Sequence, residues 1–346
     1  MHMSDALVSP AVGGALWAAS AGLIAVSARK VNGELDEKKV PLMGVAGAFI
    51  FAAQMINFSI PGTGSSGHLG GGMILAVLLG PWAAMITIAS VLVIQALFFA
   101  DGGLLALGCN IFNLGFFPAF VAYPFIYKPL AGNSGSRGRI IAASVLSSIV
   151  ALQAGAFAVV VQTVFSGISS LPFGTFSLVM QPIHLAIGLV EGIVTAAVVV
   201  FVARARPDIV APAAGEQKGN GWSIQRIVLA LVVVAAVIGG ALSWFASADP
   251  DGLEWAIAKT TGREEVHPES PSPVYGVLES LQEKLAFLPG YGFRQSGAEE
   301  SGPAEESWPA VDPGASVAGI IGAALTLLLA LAAGIIFHRK SANRSA

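Results

Sequence analysis

The residues best suited to chemistry stand at the start of the chain, Met1-His2-Met3-Ser4-Asp5. A histidine in second position lets three nitrogens converge from two residues. The α-amine, the deprotonated amide of His2 and the His2 imidazole Nδ1 close fused five- and six-membered chelate rings, filling three corners of a square plane. Square-planar nitrogen coordination suits Ni(II) or Cu(II), and a fourth nitrogen completes it. A bulky second residue disfavours removal of Met1, which keeps the register. The natural fourth donor is His68, one of 5 histidines, set in Gly62-Thr63-Gly64-Ser65-Ser66-Gly67-His68-Leu69-Gly70-Gly71-Gly72. Glycines permit φ > 0 and close backbone approach, so an N-terminal segment can tuck in beside this imidazole. On the residues alone, two plainer accounts stay open: His2 as a chance residue on a frayed terminus, and His68 as a loop hydrogen-bonder.

The elements that must position these groups are membrane helices. The chain has 346 residues, is 55% hydrophobic and carries only 11% charged residues, where a soluble domain carries about 25%. No Asp, Glu, Lys or Arg occurs from Val40 to Ala100 or from Ile140 to Val190. About 20 apolar helical residues cross a bilayer, so nine crossings are expected, near 11–28, 40–57, 68–80, 82–100, 104–126, 140–165, 178–203, 225–245 and 316–337. The third is short and begins among glycines, an irregularity tolerated at membrane depth only where protein or a cavity surrounds it. No Lys or Arg precedes Arg29, so the positive start of a cleaved secretory leader is missing. With the N-terminus outside, 14 of the 18 basic residues fall on the cytoplasmic side, while the remaining four share an outer loop, 246–315, with 13 of the 21 acidic residues. That bias obeys the positive-inside rule. It predicts an all-α polytopic protein in the cytoplasmic (inner) membrane of a bacterium, N-terminus outside and C-terminus cytoplasmic. The organisation expected is a membrane domain over 1–204, a cytoplasmic linker over 205–222 and a second unit over 223–338 with two spans around the acidic loop.

Further polar residues invite a role. Asn57, Ser66, Gln95 and Asn110 are placed to orient the imidazoles, as outer-shell groups do, or to bond helices together. Glu191 lies well inside a span, where a carboxylate is a functional candidate by default, and His184 sits two helical turns earlier on nearly the same face. They read as an inner relay, a contact for a coupling partner, or an interior hydrogen-bonded pair. Asp101-Gly102-Gly103 reads as an outer turn, and Asp251-Gly252 as a turn opening a helix. Val274, Val277, Leu278, Leu281 and Leu285 have helical spacing, as in a small amphipathic helix packing on the membrane domain. The glycine run 62–68 has phosphate-loop spacing, but His68 stands where lysine is needed. No Walker motif exists, and no nucleic-acid partner is expected.

Several ordered motifs resemble the CbiM/NikM family, the substrate-binding components of energy-coupling-factor nickel/cobalt transporters. They are Met1-His2-Met3 with Pro10, Asn57-Phe58-Ser59-Ile60-Pro61, Gly67-His68-Leu69-Gly70-Gly71, Gln95 to Gly103, Leu107 to Asn113, and His184-Leu185-Ala186-Ile187-Gly188 leading to Glu191-Gly192 and Thr195. The resemblance spans roughly residues 1–203. It implies a seven-span domain with the N-terminus inserted into the fold, and metal ligation by Met1 (amine), His2 (amide and imidazole) and His68 (imidazole). Ala6 departs from the family's usual glycine. Pro250-Asp251-Gly252-Leu253-Glu254-Trp255 resembles the PDGLE signature of the accessory N component, which accompanies nickel-type systems more than cobalt-type ones.

The expected function is therefore the substrate-capture subunit of an ATP-driven importer, taking Ni(II) or Co(II) as transported substrate without an organic cofactor. It is expected to be no enzyme: ATP hydrolysis belongs to a separate ATP-binding (A/O) component, linked through a transmembrane coupling (T/Q) component within the lipid bilayer. Its rivals are a secondary transporter or channel for another ligand, and a non-transporting assembly or sensor protein.

Overall fold

The computed structural model describes residues 2–34, 39–132, 136–206, 209, 223–263, 272–294 and 308–345, with main chain only at 32–34 and 338–345. Met1 and most of the expected linker lie outside the described residues, as do 264–271 and 295–307 of the expected outer loop. Helix α1 (Pro10–Glu34) is followed by α2 (Lys39–Gln54), a small antiparallel hairpin of β1 (Phe58–Ile60) and β2 (Ser65–Gly67), α3 (Gly72–Leu79), α4 (Pro81–Phe99), α5 (Leu107–Ala131), α6 (Arg137–Ser166) and α7 (Phe173–Ala205). The second half contains α8 (Ile224–Gly240), α9 (Gly252–Thr261), α10 (Pro273–Leu285) and α11 (Pro313–Ser345). Helices α1, α4, α5, α6, α7 and α11 are long and apolar enough to cross a bilayer, whereas α2 and α8 are apolar but shorter. The expected all-α architecture is thus observed, with seven helices before Arg206 and two apolar helices behind it among the described residues.

The third expected crossing differs. Residues 65–67 pair as a strand with 58–60, and only Gly72–Leu79 is helical, rising about 12 Å at 1.5 Å per residue. Every residue of α3 is buried, because α4, α5 and α7 surround it. Its apolar side chains therefore meet protein rather than lipid, and no span is needed to bury them. Gly71 turns the chain into α3 with φ 76°, and an added Cβ would strike Ile50.

Within α5 the winding widens to a π-helix from Phe112 to Tyr127, around Pro118 and Pro124. Proline lacks the N–H that an α-helical ladder needs, and such insertions widen the coil locally. The second half packs directly on the first. Helix α11 runs along α2, where Cβ atoms at Gly44 and Gly47 would meet Leu327 and Thr326. Small residues let helices approach where lipid supplies no hydrophobic drive. Large apolar side chains such as Phe165, Leu178 and Leu328 remain on the outside, as a lipid-facing surface requires. Helix α10 forms where the periodicity expects it, but Val277 is 67% exposed. Leu278 packs against the core of the first half, and Tyr275 and Gln282 add hydrogen bonds to it.

Candidate metal centre

The N-terminal segment is threaded into the fold rather than frayed. Met3, Leu7 and Val8 are fully buried. The Met3 N–H donates to Asn110 Oδ1 at 2.8 Å, and Asn110 Nδ2 donates back to Met3 O at 3.2 Å. Gly103 N–H also donates to Met3 O, at 3.0 Å. Asp5 accepts the Ala106 N–H at 2.9 Å, and its carboxylate fills the space that a side chain at Gly103 would take. Asn110 thus clamps the peptide next to His2. The Asp101-Gly102-Gly103 turn is the other wall of this slot.

His2 and His68 meet there. Their rings stack with centroids 5.0 Å apart and planes 12° from parallel. His68 Nδ1 lies 3.0 Å from Leu69 O. A carbonyl only accepts, so Nδ1 carries the proton and Nε2 the lone pair. Burial lowers the His68 pKa to about 3, which keeps the ring neutral and fit to ligate near neutral pH. Nε2 lies 3.8 Å from Asp251 Oδ2. His2 Nδ1 is 3.0 Å from Asp101 Oδ1, while its Nε2 is buried without a hydrogen-bond partner among the described residues. The nitrogen required by the expected chelate rings is therefore held by Asp101, so a cation using it must take Asp101's place.

Asp101 and Asp251 are the carboxylates of this candidate site to which sequence reasoning gave no part in binding. The Tyr291 hydroxyl donates to Asp101 Oδ2 at 2.5 Å. Burial pushes the Asp101 pKa up, but contact with His2 and Tyr291 outweighs it and holds the carboxyl well below the usual carboxylate range. Asp251 serves two structures at once. It accepts the Leu253 and Glu254 N–H groups at 2.8 and 2.9 Å, and Glu254 returns a bond to the Asp251 N–H, forming a capping box. The expected helix start at the PDGLE turn is present, and its cap faces His68. These groups border a cavity of ≈ 630 Å³ with Asp5, Glu254 and Glu279, and among the described residues no Lys or Arg lines it. A cleft lined by one sign of charge concentrates counter-ions; here that means cations.

Other expected participants take distinct places. Ser66 turns to the second half, its hydroxyl donating to Asp249 O at 2.7 Å and its N–H to Pro250 O at 2.8 Å. Asn57 lines the cavity, and its carbonyl accepts the Ser247 N–H at 2.7 Å. Gln95 reaches the His68 loop through Gln54, which donates to Gly70 O at 2.9 Å. Glu191 accepts the Gly70 and Gly71 N–H groups at 2.8 and 3.2 Å. His184 bonds to Met180 O instead. The two are not a hydrogen-bonded pair: the Glu191 carboxylate and His184 Nδ1 are each taken by nearer main chain. Among the described residues no three His, Cys, Asp or Glu side chains form a metal-holding group.

Comparison with known proteins gives the family. Residues 2–209 match the family model of the cobalt uptake substrate-specific transmembrane region, and residues 225–339 match that of the PDGLE domain. A putative fused nickel transport protein NikMN of Archaeoglobus fulgidus is 32% identical over 334 residues, covering 96% of this chain and 97% of the relative. A cobalt transport protein CbiM of Sorangium cellulosum is 32% identical over 60% of this chain and 94% of its own length. A crystal structure described as a transition metal transporter superposes with a TM-score of 0.53 at 32% identity, covering 63% of this chain and all of that one.

Proposed function

Because this multi-pass membrane chain belongs to the CbiM family of nickel and cobalt transport proteins, with a PDGLE domain behind it, we propose that it captures Ni(II) or Co(II) from the outer side of the cytoplasmic membrane for an ATP-driven importer. His2 and His68 supply imidazole nitrogens, and the His2 amide and the amine of Met1 supply the others. ATP hydrolysis is assigned to a separate ATP-binding component acting through a transmembrane coupling component. The observation that carries the reading is the stacked pair of imidazoles at the wall of an acidic cavity. Carboxylates gather the hydrated cation, and the nitrogen donors, better ligands for these metals, retain it. The fused rings require Asp101 to yield His2 Nδ1 as the metal arrives.

The test is equilibrium binding of Ni(II) and Co(II) to the purified chain. Removing a ligand should cost more than removing an outer-shell partner, so His2→Ala and His68→Ala are each expected to weaken affinity at least about 100-fold. Undiminished occupancy in both variants would refute the assignment.

A further inference from the structure

His184 has a feature that capture at the outer site does not use. It lies on α7 and is fully buried. Its Nδ1 is 2.8 Å from Met180 O, four residues earlier on the same helix. The carbonyl fixes the proton on Nδ1 and leaves the lone pair on Nε2. That nitrogen has no hydrogen-bond partner among the described residues. His68 is arranged in the same way, with Nδ1 anchored to Leu69 O. An imidazole tied by one nitrogen to a carbonyl and presenting the other is the arrangement of metal-ligating histidines.

The surroundings of His184 connect it to the capture site. A void of ≈ 10 Å³ beneath the outer cavity is bordered by His68, His184, Asp251, Gly67, Gly70 and Ile187. That volume is about the least that holds one water molecule. His68 and Asp251 border both the outer cavity and this void. Gly252 closes it from the PDGLE side, where an added Cβ would lie 3.2 Å from His184 Cε1. Any side chain there would press on the edge of the ring that carries Nε2.

We propose that His184 is a second metal ligand, an inner station at which its Nε2, together with Asp251, takes over Ni(II) or Co(II) from the capture site at His2 and His68. The inference rests on the capture reading above and extends it inward. An imidazole and a carboxylate facing one small void form a donor set suited to these divalent ions. The handover moves a ligand bond from one neutral imidazole to another, so it needs no proton transfer at either ring.

The experiment compares wild type, His184→Asn and His184→Cys in the full chain, expressed with its transport partners. Cellular uptake of radioactive Ni(II) and Ni(II) occupancy of the purified chain are both measured. Asparagine keeps a donor for Met180 O but removes Nε2, whereas cysteine restores a metal ligand. Expected is capture-site affinity within about threefold of wild type in both variants, with uptake reduced at least about tenfold in His184→Asn and largely recovered in His184→Cys. Uptake by His184→Asn equal to wild type overturns the inner station alone. Equal loss in both variants at normal occupancy also overturns it, because the residue would then only shape the fold. A wild-type chain that takes up no Ni(II), or His2→Ala retaining full occupancy, overturns the capture reading and the inner station with it.

Discussion

The His68 loop is held differently from below and from above. Below, the partners are buried and fixed: Glu191 takes the Gly70 and Gly71 amides, Gln54 takes the Gly70 carbonyl, and Gln95 holds Gln54. Above, apart from the PDGLE turn bonded to Ser66, the second half reaches the first through side chains of α10 and the turn after it. Tyr275 donates to Val8 O at 3.1 Å, Gln282 to Ala96 O and Gly102 O at 2.9 and 2.8 Å, and Tyr291 to Asp101. A polar group stripped of its partner at membrane depth costs several kcal/mol, whereas one at the rim regains a bond to water. The floor is therefore costlier to open than the α10 side of the roof. A site that must admit a cation from one side without leaking to the other calls for this asymmetry.

The comparison can be broken first at the floor. Replacing Glu191 by Leu leaves two buried amides unpaired, at about 1–3 kcal/mol each. The variant is expected to melt at markedly lower temperature in detergent and to lose metal binding. Unchanged melting and affinity would show that the loop does not depend on its floor. At the roof, Tyr291→Phe removes one hydrogen bond to an ionised carboxylate, worth about 1.5–3 kcal/mol. Metal affinity should shift by no more than about a hundredfold, with faster metal exchange and a smaller drop in melting temperature than at the floor. A loss as large as that of Glu191→Leu would erase the distinction between floor and roof.

Acidification gives the most gradual effect. The folded chain holds His68 neutral with a pKa of about 3, while the unfolded chain protonates it near 6.5. The unfolded state therefore binds the extra proton between these values. The stability that depends on His68 should be complete above about pH 6.5 and decline toward pH 3. Site-specific ¹⁵N NMR of His68 should show no titration from about pH 5 to 7. A protonation step in that window would contradict the burial that keeps this nitrogen ready for metal.

Much of the site could be read from residue types alone. His2 and His68 stood out for the nitrogens they offer, the glycines around His68 marked irregular backbone, and Asp251 with Glu254 lay at the spacing that opened α9. Asp101 and Tyr291 were harder, because 190 residues separate them and no local periodicity relates them. One signal for Asp101 existed: it ends a stretch of 61 residues, Val40 to Ala100, without a formal charge. Charge at the mouth of so apolar a run rarely lacks a partner. The third crossing was over-read because hydropathy reports apolar length, and a helix wholly enclosed by protein is as apolar as one in lipid. Ser66 illustrates a further limit, since its partners lie on the PDGLE turn, about 180 residues away.

The central claim is that His2 and His68 share one cation. The most direct measurement is the X-ray absorption spectrum of the nickel-loaded, full-length chain. The account predicts a shell of about four nitrogens with multiple scattering from both imidazoles, reduced to one imidazole in His68→Ala if any metal is retained. A shell of oxygens without imidazole scattering, or one unchanged by His68→Ala, would contradict it.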